Sequence, residues 1–222
     1  MRLVFLGPPG AGKGTQAQRL REELDIPHIS TGDILRQVAE DEEDPLGRKV
    51  KDYMKRGELV PDDIVVEIVK KRLSADDAEK GFILDGFPRT EAQARQLDAA
   101  LQSVDRPIDI TINFRTSEPV VMARLSGRRI CTSCGANYHV KNMPPKRDGV
   151  CDRCGGPVEK RADDNETAIK RRLVLYNEQT AGLEEYYKKN NTLETVSGDL
   201  DVEELRGVLL KLFDRSGLIK HK

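Results

Sequence analysis

The chain has 222 residues, and its 37 lysines and arginines nearly balance 38 aspartates and glutamates, which gives a formal net charge of -1. This balance excludes a general electrostatic attraction to nucleic acid or to an anionic membrane surface. Hydrophobic residues make up 37% of the chain, and no apolar run approaches the roughly 20 residues that cross a bilayer. The length suits one main domain with a small inserted one.

The first apolar run, residues 3–6, follows one arginine and ends at Gly7, which is too early for the apolar segment of a secretory signal peptide. All four cysteines lie between positions 131 and 154. This arrangement is more typical of a metal site in a reducing compartment than of a scattered disulfide framework. We therefore expect a cytoplasmic protein.

A strand, a glycine-rich loop and a helix are predicted at the start of the chain. The apolar residues 3–6 run directly into residues 7–15, Gly-Pro-Pro-Gly-Ala-Gly-Lys-Gly-Thr, and residues 16–24 carry apolar side chains at helical spacing. Such a loop aims backbone N–H groups at an anion, and the helix start adds a positive partial charge. The sequence therefore predicts a site for the phosphates of a nucleoside triphosphate, with Lys13 following the transferred phosphate and Thr15 near Mg²⁺.

The loop departs from the general phosphate-loop pattern at one position. In that pattern Ser or Thr directly follows the lysine, whereas Gly14 follows Lys13 here and Thr15 comes one place later. The motif therefore supports the phosphate role of Lys13 better than the metal role of Thr15.

Residues 26–73 are predicted to form a short strand and three helices. The strand precedes Thr31-Gly32-Asp33, which starts the first helix. A second helical stretch follows Pro45, and the third helix starts at Pro61. Residues up to position 60 therefore form a small helical excursion from the main domain.

The compact apolar strand predicted over residues 81–86 ends in a carboxylate, Asp85. Because ligands of open parallel sheets lie at the carboxyl ends of the strands, Asp85 is a candidate outer-shell ligand of Mg²⁺ beside the phosphate loop. The alternative is a cap or turn former for the residues that follow. The elements predicted next are a helix over 91–101, a strand over 108–114 and a helix over 117–125.

The cysteines form two C-x-x-C pairs, Cys131 with Cys134 and Cys151 with Cys154, with sixteen residues between the pairs. Each pair can place two thiolates on a tight turn, and four thiolates complete a tetrahedron around Zn²⁺ with no position left for a substrate. We therefore predict a structural zinc site, in a segment with too few apolar residues to fold by itself. Two disulfides or iron ligation are the alternatives.

The last third of the chain is predicted to contain one long helix, a strand over 192–196 and a closing helix over 202–213. Residues 163–166 cap the long helix. The apolar residues on one face of it are Ile169, Leu173, Tyr176, Leu183 and Tyr187. Since strands alternate with helices throughout, we predict an α/β fold whose parallel sheet has helices on both faces.

Several separate motifs follow one another in the chain. They are the phosphate loop with its glycine between lysine and threonine, and residues 30–36, 84–90, 127–129 and 161–164. In this order they make the chain similar, from end to end, to adenylate kinases of the zinc-lid type. The resemblance implies the P-loop nucleoside monophosphate kinase fold with a five-stranded parallel sheet. The implied domains are a core of residues 1–30, 61–127 and 162–222, a monophosphate-binding insertion of residues 31–60 and a zinc-binding lid of residues 128–161.

The resemblance implies a monomer that reversibly transfers the terminal phosphoryl group of Mg-ATP to AMP, giving two ADP. The implied catalytic residues are Lys13, Arg36, Arg89, Arg128, Arg161 and Arg172. The implied ATP contacts are Gly10, Ala11, Gly12, Lys13, Gly14, Thr15, Arg128, Asn137, Tyr138 and Leu200. The implied AMP contacts are Thr31, Arg36, Glu58, Leu59, Val60, Gly86, Phe87, Pro88, Arg89, Gln93, Arg161 and Arg172. Arg124 is a further candidate for a phosphate contact.

Electrostatics agrees with this set of residues. Two polyanions approach in line while charge spreads over the oxygens of the transferred group, so several cations are needed around one point. Arginine suits this task because its planar fork grips phosphate through paired hydrogen bonds. The attacking oxygen of a monophosphate is already ionised, so no general base is required. Water must be excluded, and we expect residues 31–60 and 128–161 to swing over the bound nucleotides.

Two other kinds of function remain open at this point. A kinase of the same fold that uses GTP, or acts on pyrimidine monophosphates, has similar motifs. A zinc-ribbon nucleic-acid-binding protein is favoured by residues 128–161, which hold eight Lys or Arg and three Asp or Glu. The near-neutral chain and the phosphate loop count against it, so we predict no nucleic-acid partner and no membrane partner. The histidines give no catalytic hint, and we expect His28 to be buried or at a strand edge.

Overall fold

The computed structural model describes residues 1–41, 43–56, 58–161 and 164–219. The central strand β1 (Arg2–Leu6) pairs with β3 (Phe82–Asp85) on one side and with β4 (Ile110–Arg115) on the other. Strands β2 (His28–Ser30) and β8 (Leu193–Ser197) lie at the two edges. All four pairings are parallel. The predicted five-stranded parallel sheet is therefore confirmed.

Helices cover both faces of this sheet. Those of the described residues are α1 (Lys13–Leu24), α2 (Thr31–Glu40), α3 (Pro45–Arg56), α4 (Asp62–Leu73), α5 (Glu91–Gln102), α6 (Glu118–Ser126), α7 (Glu166–Leu175), α8 (Leu183–Lys189) and α9 (Val202–Arg215). Helices α2 and α3 make up the predicted insertion. Ser30 caps α2, since its Oγ accepts a hydrogen bond of 3.3 Å from the backbone N–H of Asp33.

The alternation of side chains along β1 divides the core between the two faces. Val4 and Leu6 are buried together with residues of α2, α3, α4, α5 and α8. Leu3 and Phe5 point to the opposite face, where they are buried with residues of α1 and α9. Each such side chain contributes about 1.5–3 kcal/mol through burial. Because β1 is buried on both sides, its carboxyl end, and the loop that follows it, are held firmly in place.

Residues 128–161 fold as a separate antiparallel sheet. Strand β5 (Arg128–Cys131) lies between β6 (Asn137–His139) and β7 (Val158–Glu159). The buried side chains of this sheet are few, namely Cys131, Ala136, Tyr138 and Cys151, with Val158 packed against them. So small a core is rarely enough to hold a fold, which agrees with the predicted need for a bound metal.

The single long helix predicted after residue 163 is interrupted, so that prediction is wrong. A π-helical turn covers Tyr176–Thr180 between α7 and α8. The hydroxyl of Thr180 donates a hydrogen bond of 2.9 Å to the backbone oxygen of Arg89. The wider turn changes the helical phase, and Leu183 and Tyr187 consequently reach the core on the face covered by α5.

Helix α7 begins at an asparagine cap. Oδ1 of Asn165 accepts a hydrogen bond of 2.8 Å from the backbone N–H of Ala168. Ala162 and Asp163 of the motif 161–164 lie outside the described ranges, as do Gly57 of the predicted insertion and His221 near the end of the chain. Within those ranges, every helix is too short or too polar to cross a bilayer.

Candidate active site

The phosphate loop curls between the end of β1 and the start of α1. Gly7 has φ +136°, and a Cβ there would lie 2.7 Å from the backbone oxygen of Phe114 on β4. Gly10 has φ +81°, and its Cβ would lie 2.8 Å from Cγ of Leu125. Only glycine allows both the positive φ and the close approach of neighbouring atoms at these two positions. Lys13 folds back over the loop, where its Nζ donates hydrogen bonds to Gly7 O at 2.7 Å and to Pro8 O at 2.9 Å.

An open cavity of about 300 Å³ lies over this loop. Its walls come from the phosphate loop, the end of β3, the insertion, the lid segment and α7. The predicted site residues that line it are Gly10, Ala11, Gly12, Lys13, Gly14, Thr15, Arg36, Glu58, Leu59, Val60, Asp85, Gly86, Pro88, Arg89, Arg128, Asn137, Tyr138, Arg161, Arg172 and Leu200. Residues far apart in the chain are therefore brought together around one space.

Three of the residues predicted to contact AMP lie behind the cavity wall. Thr31 is buried and its hydroxyl donates to the backbone oxygen of Asp85 at 3.3 Å. Gln93 is also buried; its Oε1 accepts from the backbone N–H of Arg89 at 2.7 Å and its Nε2 donates to Asp62 at 2.6 Å. Phe87 belongs to the hydrophobic core. In this conformation these three residues shape the wall, and their direct contact with AMP stays a prediction.

Lys13 and Asp85 face each other across the floor of the cavity. Burial lowers the pKa of Lys13 to about 8; the charge of Asp85 opposes this shift, and the arginines around the cavity add to it. Burial alone would raise the pKa of Asp85, but the contact with His28 and the charges of Lys13 and Arg89 outweigh it and hold that pKa below its usual value. An ionised carboxylate therefore lies beside a lysine whose charge is only partly compensated.

A steric effect explains why glycine occupies position 14, where the chain departs from the general motif. A Cβ at this position would lie 3.3 Å from Oδ2 of Asp85. The missing side chain lets the carboxylate approach the start of α1. His28 supports the same carboxylate from β2, with its Nε2 3.5 Å from Oδ2. The sequence predicted a buried or edge position for His28, which is confirmed, but did not predict this contact.

Asp164 holds two of the predicted arginines. Its side chain is fully buried, and its carboxylate accepts hydrogen bonds from Arg128 Nε at 2.6 Å and Nη2 at 2.5 Å. Arg172 Nη1 adds a third at 3.2 Å. This arrangement joins the first strand of the lid to α7 and aligns both guanidinium groups along the cavity. The sequence places Asp164 in a helix cap and at the end of the motif 161–164, but it does not predict the contacts with the two arginines.

Asp33 makes a similar connection on the other side. Its carboxylate accepts a hydrogen bond from Arg36 on the same helix and lies 3.7 Å from Nη2 of Arg161 at the end of the lid segment. Burial would raise the pKa of Asp33, but Arg36, the hydrogen bond from Ser30 and the charge of Arg161 lower it. Asp33 is therefore a poor proton acceptor. Its visible role is to join the insertion to the lid.

Arg124 bonds to backbone rather than reaching into open space. It donates to Gly198 O at 2.6 Å and to Leu200 O at 2.9 Å, and so joins α6 to the loop before α9. Tyr138 has a comparable structural bond, since its hydroxyl donates to Sγ of Cys151 at 3.3 Å. Both side chains also line the cavity.

The four cysteine sulfurs all lie within 4.8 Å of one another. Sγ of Cys131 is 3.5 Å from that of Cys154, and Sγ of Cys134 is 3.6 Å from that of Cys151. These separations are far longer than a disulfide bond of about 2.05 Å, and all four cysteines are free. They are close to the edge of about 3.8 Å expected for a tetrahedron with Zn–S bonds of about 2.3 Å. The residues present therefore fit one thiolate-bound metal ion.

Comparison with known proteins agrees with this geometry. A protein-family model described as adenylate kinase matches residues 5–192. An adenylate kinase of Thermosipho melanesiensis is 51% identical over 215 residues, which cover 97% of this chain and 100% of that protein. One from Caldicellulosiruptor saccharolyticus is 50% identical over 211 residues, 95% and 98% of the two chains. One from Methanocella arvoryzae is 51% identical over 205 residues, 92% and 94% of the two chains. The chain therefore belongs to the adenylate kinase family.

Proposed function

We propose that this chain transfers the terminal phosphoryl group of Mg-ATP directly to AMP while residues 31–60 and 128–161 cover the two nucleotides. Membership of the family makes the chain a nucleoside monophosphate kinase, an ATP:AMP phosphotransferase. The observation that carries the detailed proposal is the convergence of Lys13 and the five arginines predicted to be catalytic on one cavity above the phosphate loop. Charge on the transferred group needs such a set of fixed cations.

The cations divide between the two nucleotides. On the ATP side, the N–H groups of the phosphate loop and Lys13 hold the triphosphate, and Arg128 reaches it from the lid. On the AMP side, Arg36 and Arg89 hold the phosphate, and the backbone of residues 58–60 lines the base. Arg161 and Arg172 act near the point of transfer. Their anchoring on Asp33 and Asp164 supports these assignments, because anchored guanidinium groups need no reorganisation when charge develops.

Transfer needs no protein base, because the phosphate oxygen of AMP that attacks is already ionised. It breaks the bond between the terminal phosphorus of ATP and its bridging oxygen, and the electron pair of that bond leaves with ADP. The N–H groups of the loop and the charge of Lys13 favour this leaving group. Asp85 is suited to hold water bound to Mg²⁺, the ion that accompanies ATP and spreads the charge of its phosphates.

The cysteine site is proposed to hold zinc in a structural role. Four thiolates occupy every position of a tetrahedral ion, and so leave no coordination position for a substrate. The ion would join the turns at residues 131–134 and 151–154 and make the lid a rigid body. A metal analysis of the purified protein tests this, with one zinc per chain and no iron as the expected result. We further propose that the protein is a monomer, which sedimentation can check, and that it is cytoplasmic.

The proposal is tested by a coupled assay of ADP formed from ATP and AMP with Mg²⁺. The variant Lys13→Met keeps the length of the side chain and removes its charge, so we expect kcat to fall by about 10²- to 10³-fold. Arg95→Ala is the matched control, because Arg95 is an exposed cation that pairs with Glu91 on α5, outside the cavity. Assays with GTP and with CMP or UMP test nucleotide choice. Equal rates in the variant and the wild type would refute the proposed role of Lys13.

A further inference from the structure

One face of α1 points to the lid at three successive positions and contacts it at two of them. Gly14, Gln18 and Glu22 are spaced by four residues, so they follow one another along the same side of the helix. A Cβ built at Gly14 would lie 3.8 Å from Nδ2 of Asn137 on β6. Nε2 of Gln18 donates a hydrogen bond of 3.1 Å to the backbone oxygen of Gly135. Glu22 Oε1 lies 3.6 Å from Nη2 of Arg153. We call these three residues the lid-facing strip.

The partners of Gln18 and Glu22 belong to the two cysteine turns or directly follow them. Gly135 comes immediately after Cys134 and completes the first turn, where its own N–H bonds to Cys131 O at 3.0 Å. Arg153 lies between Cys151 and Cys154 in the second turn. The four sulfurs of these turns lie within 4.8 Å of one another. The strip therefore touches both turns, whose relative position the four thiolates define.

We propose that Gln18 is a positioning residue for closure of the lid over ATP, and that the two cysteine turns form the docking surface that it recognises. Gln18 touches no reacting atom. It acts through Gly135, and α1 starts at Lys13, so the hydrogen bond joins the lid to the helix that carries the phosphate loop. Glu22 and Arg153 add a weaker, solvent-exposed contact. A lid docked at this strip brings Asn137 against Gly14 and Arg128 over the triphosphate site.

This inference rests on the proposed closure of residues 128–161. It predicts different effects on the binding of ATP and of AMP. Loss of the strip weakens the closed state mainly on the ATP side, since Arg161 is the one residue of 128–161 among the predicted AMP contacts and lies at the end of the segment farthest in sequence from Gly135. We therefore expect Gln18→Leu to raise KM for ATP by about 3- to 10-fold, the range expected for loss of one neutral hydrogen bond. KM for AMP, Tm and metal content stay as in the wild type. Gln18→Lys keeps a hydrogen-bond donor at this position, so its KM for ATP stays near the wild-type value.

Arg21→Leu provides the matched control, because Arg21 is exposed on the same helix and outside the spacing of the strip. A second measurement does not depend on turnover. The rate at which zinc passes from the protein to a colorimetric chelator is measured with and without saturating Mg-ADP. Docking shields both turns, so nucleotide slows this transfer in the wild type and in Arg21→Leu, but much less in Gln18→Leu.

An unchanged KM for ATP in Gln18→Leu overturns the inference, as does an equal rise of both KM values or nucleotide protection equal to the wild type. These outcomes differ from failure of the proposed function, in which the wild-type protein itself forms no ADP from ATP and AMP. A Gln18→Leu protein that has lost zinc or melts early also overturns it, because the residue would then act on the stability of the fold.

Discussion

Replacement of Asp164 by asparagine tests the most heavily bonded contact of the cavity. The variant keeps the size of the side chain but removes the charge that pairs with Arg128 and Arg172. It also points an amide at guanidinium groups that have only donors. The carboxylate side chain is 0% exposed, whereas those of the two arginines are 18% and 22% exposed. The arginines therefore keep some hydration when the acid is lost.

The size of the effect follows from these exposures. Breaking a fully buried ion pair costs about 3–5 kcal/mol, and the partial hydration of both arginines reduces our expectation to about 2–3 kcal/mol. For a chain of this length 1 kcal/mol shifts Tm by about 2–4 °C, so Tm should fall by about 4–12 °C. Because both guanidinium groups lose their orientation, kcat/KM should fall by about 10²-fold.

Differential scanning calorimetry and the coupled ADP assay measure the two effects. Bound phosphates supply the negative charge that Asp164 no longer provides, so saturating Mg-ADP should reduce the difference in Tm between variant and wild type. Glu166→Gln is the control, since Glu166 is exposed, lies near the same helix start and pairs only with Lys170 among the contacts of the described structure. A variant at Asp164 with wild-type Tm and wild-type kcat/KM would show that the carboxylate neither stabilises nor orients the arginines.

The remaining predictions concern three other positions. Burial lowers the pKa of Lys13 from its usual 10.5 to about 8. Between these two pH values the unfolded chain binds a proton that the folded protein does not, so the free protein should become more stable as pH rises from about 8 towards 10.5. Bound triphosphate should raise the pKa of Lys13, and calorimetry near pH 8.5 should detect proton uptake as a binding enthalpy that depends on the buffer. Gly14→Ala should lower kcat/KM for ATP because the added Cβ crowds Asp85, and wild-type kinetics for this variant would contradict the steric reason. Gly207→Ala is the contrasting variant: it has open space around it in α9, so it should raise the free energy of unfolding by about 0.5–1 kcal/mol. Cys134→Ser should reduce both bound metal and Tm, and a variant that loses zinc with unchanged Tm and turnover would exclude the structural role.

Local sequence patterns were enough to predict most of the fold. The strand, glycine loop and helix that meet at Lys13 follow from neighbouring residues, and so do the alternation of strands with helices and the pairing of the cysteine turns. The break between α7 and α8 does not. It is associated with the bond from Thr180 to the backbone of Arg89, a contact between residues far apart in the chain.

The same distinction applies to the candidate site. The arginines were predicted because they lie in motifs that a family shares. Asp164 and His28 were missed as functional residues because their importance comes from distant partners, Arg128 for the first and Asp85 for the second. Gln93 illustrates the opposite case, since the family resemblance implies a contact with AMP whereas the structure shows its side chain bonded to Asp62 and the backbone of Arg89. A motif therefore identifies the residue, and only the folded chain shows which atoms it touches.

The pairing of Ile130 with Glu159 has a consequence for how such a chain can change over time. Strands β5 and β7 lie near the two ends of residues 128–161 and are paired, so the distance between those ends does not depend on the length of the chain that connects the two strands. Joining the ends through a shorter loop would change the entropy of closure only slightly. A shorter connection without the cysteine turns would therefore leave the five-stranded sheet and the phosphate loop unchanged, but it would remove the contacts of Gly135 and Arg153 with α1.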